Sequence, residues 1–348
     1  MDEIYEPINP NYPHIIFGGD YNPDQWLNYP EILEEDIRLM KLSGFNAPTI
    51  GVFQWAQIEP EEGKFTFGWL DEVIDKLVHN NIKIIMGTPT ATPPAWMFNK
   101  YPEMLRTSHN RKRNSYQYRV NYCVTSPIYR EKCRIIDSKL AERYQDYPIL
   151  FWHINNEMSR ECHCEQCQQA FREWLKNKYG SLERLNDAWW SYFWSHTYYD
   201  WQEIESPGYS MDYGVDKTLP GLNLDWKRFM SHQQYECYKN EADTIREYTP
   251  EVPVTTNTWG LFGNMKYNEF ANDMDVVAKD AYPAYHNHED DWEEALKWSF
   301  EYDAYRAIKG GKPFLLAETS PSIVCLSTKQ KLKRPGMIKL ISLQAIAH

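Results

Sequence analysis

Seven short apolar runs punctuate the chain, at residues 15–20 (IIFGGD), 45–53 (FNAPTIGVF), 82–88 (IKIIMGT), 149–155 (ILFWHIN), 252–258 (VPVTTNT), 275–282 (DVVAKDAY) and 313–317 (PFLLA). Rich in β-branched residues and poor in interspersed polar ones, most of them predict strands buried on both faces. Between them apolar residues recur at helical spacing, in PEILEEDIRLMKLSG, WLDEVIDKLVHNN, SPIYREKCRIIDSKLAERYQDY, EQCQQAFREWLKNKYG, DWKRFMSHQQYECYKNEADTIREY and DWEEALKWSFEYDAYRAIKGG. Several of these segments open at Ser, Asp or Pro and stop at Gly or Asn, which supply the groups a helix end needs.

Strand followed by helix, repeated, predicts a parallel sheet. With no dinucleotide-type glycine turn after the first strand, a closed barrel is favoured over a doubly wound sheet, so the expected class is α/β, a TIM (β/α)8-type barrel. The count reaches seven strands, and the last apolar helical segment, MIKLISLQAIAH, ends the chain. The expectation is therefore one barrel domain over 1–348 that lacks its eighth strand and exposes edges on the first and seventh. No short repeat, low-complexity tract or Pro/Gly linker divides it. The longest excursion, roughly 180–225, contains LNDAWWSYFWSHTYYDW and follows the fourth strand.

The 348 residues carry a formal charge of −12, which offers no broad cationic surface to nucleic acid or anionic lipid. A neutral substrate is the easier partner. No apolar run approaches the roughly 20 residues of a membrane helix, and the acidic start MDEIYEPINP does not read as a signal peptide; the expected location is cytoplasmic. Aromatic residues make up 15% of the chain, with 14 Trp and 25 Tyr, enough to leave rings for a cleft in which indole faces stack on sugars.

In a parallel barrel the chemistry sits at the carboxyl ends of the strands. Glu157 ends the fourth run and Glu318 the seventh. Two carboxyls held about 5–5.5 Å apart are what a retaining glycosidase needs, one as acid/base and one as nucleophile. The plainer alternative is that each acid caps the helix that follows it. Cys162, Cys164 and Cys167 form C-x-C-x-x-C immediately beyond Glu157, a thiolate trio one ligand short of a tetrahedral zinc site. Idle buried thiols are the alternative, and Cys133, Cys237 and Cys325 have no such company.

Many ordered motifs then carry a specific resemblance: YNPDQW, GVFQWAQIEPEEGKFTFGWLD, TPTATPPAW, NYCVTSPIYR, HINNE, CHCEQC, FREWLKNKYGSLERLNDAW, FWS and RPGM. From residue 14 onward the chain resembles the glycoside hydrolase family 42 β-galactosidases. The resemblance implies hydrolysis of terminal non-reducing β-D-galactosyl residues with retention, through a covalent intermediate on Glu318, with Glu157 as general acid/base. It implies that Asn156 bonds the galactosyl 2-hydroxyl, that Arg119 contacts galactose, that Trp194 lines the pocket and that Tyr282 orients the nucleophile. Cys123 is implied as the fourth ligand of a structural Zn2+ site with Cys162, Cys164 and Cys167, His163 pointing outward, and no cofactor enters the chemistry. The rival readings are a non-catalytic galactoside-binding remnant and another retaining activity, β-glucosidase or α-L-arabinopyranosidase.

Two departures from the family pattern stand out. Cys325-Leu326 replaces the usual Asn-Trp, removing a sugar-facing indole. The family's eighth strand, its trimerisation domain, which implies a homotrimer, and its small β domain find no counterpart. The expectation for this chain alone is weak activity and a tendency to self-associate.

Overall fold

Each of the seven predicted strand positions carries a strand in the computed structural model, which describes residues 5–117, 119–208, 219–258, 260–261, 265–285, 291–322 and 332–348. The strands are β1 (Asp20–Tyr21), β2 (Thr49–Ile50), β3 (Ile84–Gly87), β4 (Ile149–His153), β5 (Val254–Thr255), β6 (Asn257–Thr258), β7 (Ala278–Asp280) and β8 (Leu315–Glu318). β5 and β6 are two halves of the predicted run 252–258, parted only by the buried Thr256. All pairings are parallel, in the order β1-β2-β3-β4-β5 and then β6-β7-β8. Chain order is thus preserved around the wall, as expected of a TIM-type barrel. Among the described residues β1 pairs only with β2 and β8 only with β7.

The helical periods materialise in the predicted places: Pro30–Ser43, Gly68–His79, Pro127–Tyr144, Glu165–Tyr179, Pro220–Arg246, Asp291–Ile308 and Met337–Ala347. Local chemistry sets their ends. Ser126 accepts the Tyr129 amide at 3.4 Å and Pro127 occupies the first turn, while Gly44, at φ 76°, closes the first helix in the left-handed conformation that glycine tolerates. Gly51 is required for a second reason: at φ 114° a Cβ there would lie 2.4 Å from the Gly87 carbonyl oxygen, so the end of β2 closes onto the end of β3.

Burial follows the barrel's two faces. Ile85, Phe151 and Val276 cluster with Ala47 and Leu150, and Ile8 and Tyr12 of the N-terminal segment pack onto them. Asn9 seals that end by donating to the Leu150 carbonyl at 2.9 Å. The larger core lies between wall and helices and includes Ile84, Met86, Trp152, Ile136, Leu140, Phe171 and Phe229. Every residue of β3 and β4 is buried, as continuous apolar runs predict, whereas β8 is only half-buried along its length and Asp20 of β1 is exposed. Each of the less buried strands pairs with a single neighbour among the described residues. No described helix is long and apolar enough to cross a membrane.

Candidate active site

The carboxyl ends of the strands converge on a cluster of acids. Beyond β4 the chain turns sharply: Asn155 and Glu157 both adopt left-handed backbone, at φ 57° and 50°, unusual for side-chain-bearing residues and typical of strained functional turns. The turn is fixed by Asn257 of β6, whose Oδ1 accepts the Glu157 amide at 3.0 Å. Asn257 Nδ2 faces three acceptors, Asp280 Oδ2 at 2.8 Å, Glu318 Oε1 at 3.0 Å and Asn156 Oδ1 at 3.1 Å. One side chain therefore ties β4, β6, β7 and β8 together.

Carboxylate oxygens of Glu157, Asp280 and Glu318 lie within 4.8 Å of one another. Arg119 Nη2 donates to Glu157 Oε2 at 2.6 Å, and the Tyr282 hydroxyl donates to Glu318 Oε2. Asn156 is 1% exposed, and its Nδ2 is a buried donor that makes no hydrogen bond among the described residues.

Such crowding moves proton affinities. Burial raises the Glu157 carboxyl, Arg119 opposes it, and the nearby Glu318 charge raises it further. Asp280 is pushed well above the usual carboxylate range, first by burial and then by Glu318 and Glu157. Asp20 at the rim moves the same way by desolvation and the Glu318 charge, although its exposure to water in the mouth moderates the effect. Tyr282 is raised by burial and by Glu318, so it is a hydrogen-bond donor across the working range. His153, buried at the end of β4, is pushed down to about 4 and is neutral.

Trp194 stands apart. It lies in a short 3-10 turn, Phe193–Ser195, is 67% exposed, and stacks on Phe193 with ring centroids 4.8 Å apart. No bond connects it to the carboxylates among the described residues. Cys325 and Leu326 lie outside the described residues.

The cysteines meet as a set. Sulfurs of Cys123, Cys162, Cys164 and Cys167 all fall within 4.8 Å of one another, with Cys123–Cys167 at 3.3 Å, Cys123–Cys164 at 3.6 Å and Cys164–Cys167 at 3.7 Å. Four sulfurs at about 2.3 Å from one centre would be separated by about 3.8 Å, so this set fits a tetrahedral metal of the structural kind. The Thr107 amide, 3.4 Å from Cys162 Sγ, and Thr125 Oγ1, 3.3 Å from Cys167 Sγ, supply the surrounding polar contacts. His163 does not point outward into solvent as expected. It is buried, stacked on Trp226 at 4.8 Å with Nδ1 3.0 Å from Ser206 Oγ, because an aromatic floor is available to its ring there.

Sequence reasoning did not single out Asp280, Asn257 or Asp20. Asp280 carries the same signal that marked Glu157, an acid at the end of an apolar run, in DVVAKDAY. Asn257 had no signal of its own, since its significance is that three other strands reach it.

The chain is similar to known proteins along nearly its whole length. The glycoside hydrolase 42 family model, described as beta-galactosidase, matches residues 20–348. The chain is 48% identical over 345 residues to beta-galactosidase BglY of Alicyclobacillus acidocaldarius, covering 99% of this chain and 49% of that protein. It is also 48% identical over 349 residues to beta-galactosidase Pbg of Clostridium perfringens, covering 99% and 50%. Among solved structures, the beta-galactosidase of Rahnella sp. R3 superposes with a TM-score of 0.95 at 41% identity, covering 99% of this chain and 50% of that one. That of Bacillus circulans sp. alkalophilus gives 0.92 at 40% identity, covering 98% and 50%. The chain spans about half the length of the curated relatives it matches. With the match running across nearly all of its residues, the chain belongs to the glycoside hydrolase 42 beta-galactosidase family.

Proposed function

We propose that this chain carries the catalytic residues of a retaining β-galactosidase, with Glu318 as nucleophile and Glu157 as general acid/base. The observation that supports it most is that the two strand-end carboxylates meet in one cluster, each offering an oxygen within 4.8 Å of the other, as the close pair of a retaining enzyme requires. In the first step a Glu318 oxygen bonds to the anomeric carbon as the glycosidic bond breaks, and the Glu157 proton passes to the departing oxygen. In the second, Glu157 takes a proton from water, whose oxygen displaces Glu318 and restores the starting configuration. A raised Glu157 suits the first step, because the acid has to be protonated when the leaving group departs. Hydrogen bonds from Tyr282 and Asn257 hold both Glu318 oxygens, and the unpartnered Asn156 Nδ2 is the donor for the galactosyl 2-hydroxyl oxygen. Arg119 beside Glu157 serves as a galactose contact.

The metal that suits the four cysteines is zinc, closed by sulfur on all sides and with no open position for substrate. It would brace the loop after Glu157. Cytoplasmic location accords with free thiols in a metal set and without disulfides among the described residues.

The test is turnover of a panel of nitrophenyl glycosides together with labelling by a 2-fluoro-galactoside. Preferred cleavage of the β-galactoside and a covalent adduct on Glu318, abolished in Glu318→Gln, are expected. An adduct on another residue would overturn the assignment. Binding of galactosides with no turnover would instead favour a non-catalytic binding domain, and faster cleavage of another glycoside would reassign the substrate.

A further inference from the structure

The left-handed turn that carries Asn156 and Glu157 is held from beneath by a polar cluster sealed in the protein interior. Asn155, 0% exposed, is its hub. Its backbone amide donates to Thr88 Oγ1 at 2.7 Å, and its side-chain Oδ1 accepts both the Asn156 amide at 2.8 Å and the Tyr122 hydroxyl at 2.6 Å. Its Nδ2 lies 2.9 Å from Thr90 Oγ1, 2.9 Å from the Tyr129 hydroxyl and 3.1 Å from Glu241 Oε1.

Two residues of this cluster reach outside it. Glu241, 0% exposed on the helix Pro220–Arg246, gathers the Thr88 and Thr90 hydroxyls on Oε2 at 2.9 and 2.6 Å and Asn155 on Oε1. A buried carboxylate is costly to keep unless hydrogen-bonded, and here the bonds converge on the residue before the Asn156-Glu157 pair. Tyr122 is the neighbour of Cys123, so the backbone that delivers a sulfur to the cysteine cluster also delivers the donor to Asn155. Its ring is fixed by stacking on Tyr129 at 4.0 Å.

We propose that Tyr122 and Glu241 are positioning residues: by clamping the two ends of the Asn155 side-chain amide they hold the turn through Asn155, Asn156 and Glu157, left-handed at its first and last residues, and Tyr122 makes that turn continuous with the cysteine cluster. The step from placement to rate rests on the β-galactosidase reading above, but the placement itself does not. Strain at φ 57° and 50° needs surrounding contacts to persist, and Asn155 is where those contacts meet. Displacement of a proton donor by about 1 Å is enough to cost roughly a hundredfold in rate.

The experiment is hydrogen exchange of the full chain, read by mass spectrometry, for wild type, Tyr122→Phe and Glu241→Gln, alongside steady-state kinetics on aryl β-galactosides. Tyr122→Phe keeps the ring and its stacking, and so tests the clamp even if Glu241→Gln fails to fold. In a folded variant the amides of residues 155–157 are expected to exchange about tenfold faster or more, with 162–167 unchanged. kcat on a substrate with a poor leaving group should fall by roughly 10- to 100-fold while KM changes less than about twofold. Unchanged exchange at 155–157 in Tyr122→Phe overturns the positioning role whatever the activity. Faster exchange in a chain whose wild type turns over no galactoside would uphold the clamp and overturn the β-galactosidase reading, so the two failures are distinct.

Discussion

Arg119 Nη2 sits 2.6 Å from Glu157 Oε2, so the proposed proton donor carries a guanidinium on one carboxyl oxygen. Two opposing influences meet in that contact. Burial and the Glu318 charge favour the neutral acid, and the cation favours the ionised one. Glu157 is little exposed, at 12% of its side chain, whereas Arg119 is 43% exposed, so water weakens the cation's share and the net displacement is upward.

Removing the cation is therefore expected to raise Glu157 further. The acid form is present below its pKa and is lost as pH rises through it, so the alkaline limb of kcat/KM in Arg119→Ala should move to higher pH. Aryl galactosides with poor leaving groups, which depend most on the acid, provide the measurement. A limb that stays fixed or moves down would show that Glu157 does not supply the proton.

Tyr282→Phe deletes a donor to Glu318. A hydrogen bond to a charged group contributes about 1.5–3 kcal/mol, so kcat is expected to fall about tenfold to a hundredfold. Comparison of burst and steady-state phases locates the loss, and a rate within about twofold of wild type would remove Tyr282 from the machinery.

Cys164→Ser should lower bound zinc from about one per chain to a small fraction, with Tm falling by at least about 5 °C. Native mass spectrometry and thermal unfolding report the two quantities. If chelation strips the metal and Tm does not change, the cluster does not brace the fold. If turnover follows the identity of an added metal, it takes part in the chemistry.

Stability should also depend on pH through Asp137 and Glu241, each 0% exposed and each raised by burial first and, for Asp137, by the neighbouring Glu241 charge. Glu241 is pushed from 4.5 up to about 7. The folded chain then holds protons that the unfolded chain has released, so this stabilisation is complete below about 4.5 and is lost as pH rises through about 7. Both Asp137 oxygens lack hydrogen-bond partners among the described residues, which makes its ionisation the more costly. Asp137→Asn leaves Glu241 as the one acid of this pair, and its Tm relative to wild type is expected to rise between about pH 5 and pH 8. A difference that stays flat over that interval would show that the pair does not titrate with folding.

The sequence by itself determined the wall and much of the site. Continuous apolar runs and capped helical periods are local properties, and they place Ile149–His153 and Pro127–Tyr144 within a few residues of where they stand. The rule that chemistry gathers at strand ends was enough to point to Glu157 and Glu318, and C-x-C-x-x-C to three of four clustered sulfurs. Tertiary structure alone decided the rest. Asp280 is a member of the acid cluster only because β7 lies beside β8, and Asn257 matters because strands from distant parts of the chain bring their acceptors to one amide. Glu241 lies 86 positions from Asn155 and reaches it from the helix Pro220–Arg246. Burial, shared hydrogen bonds and proton affinity are properties of what surrounds a group in space, and a linear pattern carries that information only where the neighbours in space are also neighbours along the chain.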